Sequence, residues 1–270
     1  MKKIVLHKKR AAAAAIGVFI YCLSIDGQAI AAVYSVSFTG LTGPATVTGI
    51  AGVVPVGGWN NVDANNFTSG IIAADDLTTA TLTISGEKGQ WQSGGTTIDG
   101  GNGSLMHGYI DYTANGGGGS NVVSGLTGSL YTVYLYTYGD APRPGNGGDL
   151  LPQYTVNGLN YYAPTLGNGT TTYNATNTLV GGAFGGFVQA TTYSTNFNTQ
   201  TALASDFGNY IRIDNVVPVN GEITIAGGAD AASWRSPLNG FQIVSVPEPA
   251  TYMLSTIALA VLGLVRTRNK

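Results

Sequence analysis

Cysteine is nearly missing from this chain: Cys22 is the single one among 270 residues, so no disulfide can form within it. Histidine is almost as scarce. His7 and His107 are the only two, and a metal site built from several imidazoles is excluded. Charged residues make up only 10%. No Gly-x-Ser-x-Gly elbow surrounds any serine, so His107 has no nucleophile motif to serve as base. Between the chain's two ends only Glu87 and Glu222 are glutamates, and no motif sets two carboxylates across a cleft as glycoside hydrolysis requires. These absences predict a protein that is not an enzyme. A sustained 3.6-residue apolar period is also lacking between the ends, so helix is expected to be minor.

Long hydrophobic runs are confined to the two ends. Lys2, Lys3, Lys8, Lys9 and Arg10 precede the apolar stretch Ala11 to Ile25, and Ala29-Ile30-Ala31 supplies a small-x-small cleavage site. This is the pattern of a secretory signal peptide over 1–31, cleaved at Ala29 and Ala31, with an uncleaved signal anchor as the alternative. Tyr21, bulky and next to Cys22, argues against lipidation.

The other end reads Val246-Pro247-Glu248-Pro249-Ala250, then an apolar run from Thr251 to Val265, then Arg266-Thr267-Arg268-Asn269-Lys270. Pro247 and Pro249 lack amide hydrogens and hold their neighbours extended. The run of about 15 residues spans ~22 Å as a helix, short of a bilayer core of ~30 Å but compatible with local thinning. Arg266, Arg268 and Lys270 form a basic stop that would stay cytoplasmic. An uncleaved single-pass anchor or a terminal core helix fits the same run. The order of Pro-Glu-Pro, apolar segment and basic terminus resembles the PEP-CTERM sorting signal of Gram-negative bacteria, also called the ice-binding protein C-terminal domain. The resemblance implies recognition of 246–270 by an exosortase-type processing enzyme and cleavage near Pro247, Glu248 and Pro249. It further implies an inner-membrane intermediate held by a transmembrane helix over 251–265, then a place at the cell surface or in an exopolysaccharide matrix.

With both ends set aside, twelve acidic residues between Ala32 and Ser245 face Lys88, Arg143, Arg212 and Arg235, which leaves −8. Such a body has no electrostatic footprint for nucleic acid, and anionic lipid would repel it.

The body itself, 32–245, is rich in Gly, Thr, Asn, Ser and Tyr, with short apolar alternations between glycine-rich turns. That patterning predicts an all-β antiparallel sandwich. Strands are expected at Val33–Phe38, Ala45–Ile50, Thr79–Ser85, Gly108–Tyr112, Leu130–Tyr138, Gln153–Val156, Leu159–Tyr162, Gly185–Thr192, Tyr210–Ile213, Glu222–Ile225 and Phe241–Val244. Asn157-Gly158 is a two-residue hairpin signal. In Leu130–Tyr138, Tyr131, Val133 and Leu135 share one face and Thr132, Tyr134, Tyr136 and Tyr138 the other, as in a central strand covered on both sides. Tyr131-Thr132-Val133-Tyr134-Leu135-Tyr136, preceded by Gly125-Leu126-Thr127, and Pro237-Leu238-Asn239-Gly240-Phe241-Gln242-Ile243 resemble the central and closing strands of jelly-roll, carbohydrate-binding-like modules. The resemblance implies a jelly-roll-like sandwich flanked by a signal helix and the C-terminal transmembrane helix.

Candidate binding residues are few. Trp59 beside Asn60 and Asn61, Trp91 beside Gln90 and Gln92, and Trp234 beside Arg235 can each be a glycan platform or a core aromatic. Asp140, Asn146 and Asp149 lie around a glycine-rich loop whose oxygens suit calcium, and the same residue types serve equally as Asx turns. Asp75-Asp76 carries the same two readings. No other cofactor is indicated. The sequence thus points to a secreted surface or matrix protein, structural, adhesive or glycan-binding. A polysaccharide-processing enzyme on the same scaffold is the alternative.

Overall fold

The computed structural model describes residues 31–40, 45–63, 68–75, 77–86, 89–92, 98–113, 119–139, 151–165, 186–197, 201–228 and 235–247. Outside this set lie most of the signal peptide with Ala29, the tail from Glu248 and Pro249 through 251–265 to Arg266, Arg268 and Lys270, and the candidates Trp234, Asp140, Asn146 and Asp149. The chain divides into units Met1–Ala31 and Ala32–Lys270, and every element below belongs to the second.

The strands are β1 (Val33–Phe38), β2 (Asn60–Val62), β3 (Thr68–Ile72), β4 (Thr79–Ser85), β5 (Gly89–Gln92), β6 (Gly108–Thr113), β7 (Ser120–Ser124), β8 (Tyr131–Tyr136), β9 (Gln153–Val156), β10 (Leu159–Tyr162), β11 (Tyr210–Val216), β12 (Glu222–Gly227), β13 (Arg235–Leu238) and β14 (Gly240–Ser245). Helix among the described residues is limited to one turn, α1 (Asn102–Leu105), and a 3-10 turn at Ala204–Asp206. None of it is long and apolar enough to cross a membrane.

Three sheets form. The first runs β11-β8-β14-β1-β2, the second β10-β9-β12-β7-β4-β3, and the third β13-β6-β5. All named pairings are antiparallel except β1 with β2. The first two sheets face each other as a β-sandwich. Between them lie Tyr34, Val36, Phe38, Val133, Leu135, Ile211, Ile213, Phe241 and Ile243 from the first sheet, and Leu82, Ile84, Val123, Val156, Ile223 and Ile225 from the second, in one buried cluster. Alternation of residue type along each strand produces this, because successive side chains point to opposite faces. Each such side chain contributes roughly 1.5–3 kcal/mol when fully buried.

The outer face of the first sheet is covered too. Tyr134, Tyr136 and Tyr138 pack with Val47, Ala51, Trp59, Leu105, Met106 and Phe207 in a second cluster. The two faces assigned to Tyr131–Tyr138 therefore both exist and both are buried.

The closing segment shows how a short motif does several jobs. The chain leaves the third sheet at Leu238 and enters the first at Gly240, with only Asn239 between. Buried Asn239 donates from Nδ2 to the carbonyls of Met106 (3.1 Å) and Gly108 (2.9 Å) and accepts from the Tyr138 amide. Gly240 sits so near β1 that any Cβ would collide with the Val36 carbonyl. Phe241 and Ile243 enter the core, and Gln242 turns outward to hold the covering loop.

Several elements depart from expectation. Ala45–Ile50 is not a strand: the Val47 amide and carbonyl are taken by the Asn61 side chain, and the Thr48 and Gly49 amides both donate to the Gly100 carbonyl. The described part of Gly185–Thr192 holds one parallel bridge, Gln189 to Tyr210, rather than a strand. β2, β3, β5, β7 and β13 lie outside the expected set; they are short or polar, with β3 and β5 held by the strands that follow them and β2, β7 and β13 by strands farther away in sequence. Asn157-Gly158 forms the predicted hairpin, with φ of 48° and 81° and Val156 paired to Leu159.

Candidate functional site

Trp59 is not a surface platform. It is 7% exposed, its Nε1 donates to the Val56 carbonyl at 3.1 Å, and its ring lies 6.0 Å from Tyr136. The neighbouring amides are structural as well. Asn60 donates to the Ser35 and Ile72 carbonyls (3.0 and 2.9 Å) and accepts from the Ile72 amide, so its side chain ties β3 to β1 across the sandwich. Trp91 is 47% exposed on β5, opposite Tyr109 of β6. Its neighbour Gln90 is buried and donates to Asp63 at 2.6 Å. Trp91 is thus about half exposed where Trp59 is buried, so two tryptophans that sequence treats alike have different surroundings.

The acids of the described residues are largely occupied by the backbone. Asp75 accepts from the Leu77 and Thr78 amides and from the Thr78 hydroxyl at 2.6 Å, which lowers its carboxyl pKa, the Thr78 hydroxyl contributing most. Asp99 accepts from the amides of Gly101, Gly103 and Ser104 at the start of α1. Asp206 accepts from the Leu203 amide and the Thr191 hydroxyl. Asp75 is thereby the Asx-type turn residue of the two readings its sequence allowed. No group of three metal-ligating side chains occurs among the described residues.

A further cluster went unseen in the sequence because it joins β8 to β11, about 80 residues apart along the chain. On the outer face of the first sheet, Arg212 stands opposite Tyr134 in register. Its Nε donates to Asp214 Oδ1 at 2.9 Å, and its guanidinium carbon lies 5.9 Å from the Tyr134 ring centre. Thr132 donates to the same Asp214 oxygen at 3.0 Å. Tyr210 lies 6.3 Å from Tyr134, meets Phe187 edge-on, and donates from its hydroxyl to Gln189 Oε1 at 3.3 Å. The Asp214 hydrogen bond pushes the Arg212 pKa up, keeping it charged. Burial, then the neighbouring Tyr134, pushes the Tyr210 hydroxyl up.

Chemically this is an aromatic shelf with a donor fork and an acceptor at its edge. The pair is about half exposed on both sides, where an ion pair contributes only about 0–1 kcal/mol to stability. Among the described residues, the Arg212 terminal amino groups and Asp214 Oδ2 make no hydrogen bond. They remain available to a ligand's hydroxyls, which both donate and accept. The only sequence hint was the alternation of Tyr210, Arg212 and Asp214 with Ile211 and Ile213.

The fold defines the class: an antiparallel β-sandwich with a third, smaller sheet. No family model matches this chain, and no curated protein matches it significantly. Among solved structures, an exo-β-1,3-galactanase from Phanerochaete chrysosporium with galactose is similar at 10% identity and a TM-score of 0.28, over 64% of this chain and 32% of that one. TmCBM61 in complex with β-1,4-galactotriose is similar at 13% identity and a TM-score of 0.23, over 60% of this chain and 86% of that one. The matched region thus spans about a third of the length of the galactanase.

Proposed function

We propose that this is an exported, non-catalytic surface protein whose sandwich, jelly-roll-like in its repeated crossing between sheets, binds neutral glycan in an extracellular matrix. The observation that carries the binding reading is the Tyr210–Arg212–Asp214 shelf, in which half-buried Tyr210 offers the ring while Tyr134 lies buried beneath Arg212. It pairs a ring face for the C–H side of a sugar with charged donors and acceptors for its hydroxyls, on a sheet face otherwise closed by loops. Trp91 is a second aromatic surface on the third sheet. The engagement of Asp75, Asp99 and Asp206 in turns supports binding without turnover.

The export reading rests on sequence. The 1–31 leader and the 246–270 tail support passage through the inner membrane, recognition by an exosortase-type enzyme near Pro247, Glu248 and Pro249, and delivery to the surface of a Gram-negative cell.

A glycan array followed by titration calorimetry tests the binding. Tyr210→Ala and Arg212→Gln should each weaken the best glycan about tenfold, equivalent to ~1.4 kcal/mol, with folding unchanged. Unaltered affinity in both variants removes the shelf as the site. Reducing ends released from the bound polysaccharide would favour the processing-enzyme alternative. Mass spectrometry of the mature C-terminus tests sorting: finding Arg266 to Lys270 still attached to the surface protein would refute cleavage.

A further inference from the structure

Four connections and both ends of the sandwich gather at one pole. Val33 pairs with Val244, Ser245 with Tyr131, and Tyr131 with Val216, so the first sheet ends there at Ala32, Leu130, Val216 and Val246. In the second sheet Ile72 pairs with Thr79, Glu222 with Ser124, and Val156 with Leu159, which places the 73–78, 125–130, 157–158 and 217–221 turns at the same pole. The Ala74 amide donates to the Val33 carbonyl and the Leu126 amide to the Gly221 carbonyl, knitting these turns together.

Ten large hydrophobic side chains are exposed among the described residues, and six of them sit at this pole: Ile72, Leu77, Leu159, Val217, Val219 and Val246, at 38 to 86% exposure. Scattered apolar residues need no explanation, but here six share one pole, spread across it from the β3–β4 turn to the β9–β10 turn at the opposite edge of the second sheet. Its described charges are only Asp75, which is tied into its own turn, and Glu222.

The chain also leaves from this pole. The Val246 amide still donates to the Leu130 carbonyl at 2.9 Å, and Pro247 follows directly. From Val246 to Thr251 is five residues, at most about 17 Å of extended chain. A tail inserted from Thr251 onward would therefore hold this pole at the headgroup layer.

We infer that the Leu77–Leu159–Val217–Val219 pole is a membrane-docking surface that rests on the lipid interface while the tail is inserted. The inference rests on the proposed membrane insertion of the tail. Apolar side chains are favoured at the headgroup–acyl boundary. With acidic and no basic groups among the pole's described residues, docking is to zwitterionic rather than anionic lipid.

The test uses the chain from Ala32 to Lys270, the form left by the proposed leader cleavage and free of cysteine, in phosphatidylcholine vesicles, with bimane attached at Leu77→Cys, Val219→Cys or Ile50→Cys. Ile50 is exposed in a loop bonded to 98–104, away from this pole, and all three sites are exposed enough to accept the label. Lipids brominated near the headgroup should quench most of the emission from positions 77 and 219 and leave position 50 bright. Added anionic lipid should reduce the quenching. Unquenched tip probes on a chain that sediments with the vesicles would overturn docking and leave tail insertion standing. A form carrying Ala258→Arg and Leu262→Arg should no longer sediment; if it sediments as well as the unaltered chain, the tail reading fails and docking with it. Cross-linking of Leu77→Cys chains to one another without vesicles would assign the pole to a second copy and overturn the inference.

Discussion

The outer faces of the two main sheets are built in opposite ways. On the first sheet Tyr134, Tyr136 and Gln242 are buried beneath the 45–59 loop, α1 and side chains of Phe187, Phe197, Ala202 and Phe207. On the second, β4 turns Thr79, Thr81, Thr83 and Ser85 outward, β7 adds Ser120 and Ser124, and Glu222 and Thr224 follow on β12, mostly open to solvent. The second sheet follows the ordinary half-buried pattern of an antiparallel sheet. The first is a middle layer, held on one side by apolar packing and on the other by a hydrogen-bonded strap. Gln242 is the centre of that strap. Its Nε2 donates to Ser35 Oγ (3.1 Å) and the Val54 carbonyl (2.8 Å), and its Oε1 accepts from the Val54 amide and from the Tyr136 hydroxyl. The Tyr136 hydroxyl in turn accepts from the Val53 amide at 2.8 Å. The proposed glycan shelf lies where that covering stops, at Tyr210 and Arg212.

Alkali should break both layers at once. Burial raises the phenols of Tyr34 and Tyr138 to about 12 and pushes those of Tyr112, Tyr136 and Tyr154 up as well. The folded state therefore keeps protons that the unfolded chain loses from about pH 10. Stability is complete below that pH and falls as pH rises through and beyond 12. Circular dichroism and phenolate absorbance followed together should show one cooperative alkaline transition. Tyrosines titrating singly near pH 10 in an intact sandwich would contradict their burial.

Matched substitutions sharpen the contrast. Gln242→Ala removes the side-chain partner of Ser35 Oγ and of the Val54 amide and carbonyl and leaves the Tyr136 hydroxyl without its acceptor, at about 3 kcal/mol, and should open the 51–56 segment to protease. Gly240→Ala forces β1 from β14 and should cost about 2–3 kcal/mol. Its counterpart on the second sheet, Gly70→Ala, meets nothing nearer than the Ala80 carbonyl at 3.9 Å and should leave the urea midpoint unchanged or slightly raised. Thr81→Ala, on the open face, should move stability by no more than about 0.5 kcal/mol. Equal losses from Gln242→Ala and Thr81→Ala would abolish the distinction between the faces.

Legibility followed the same divide. Where one face is core and the other solvent, residue alternation suffices: β4, with its period of two, has the predicted limits. β1, β9 and β10 also have theirs. Asn157-Gly158 was readable because its backbone demand is local. Trp59 could not be placed, because its burial depends on a loop lying over a sheet formed by residues far along the chain. The Asn60 and Asn61 side chains replace backbone partners, and composition carries no sign of that. The shelf required the β8–β11 register, which the bulge between Ile213 and Val216 further shifts.

Ala32 and Ser245 exchange hydrogen bonds across 213 positions, and β14 lies between β1 and β8 in the finished sheet. A chain ending before Gly240 would lack the strand that joins the two halves of the first sheet. Folding is expected to act as a length check. A prematurely ended product would leave strand edges open to proteases, and only a complete chain would present a finished domain.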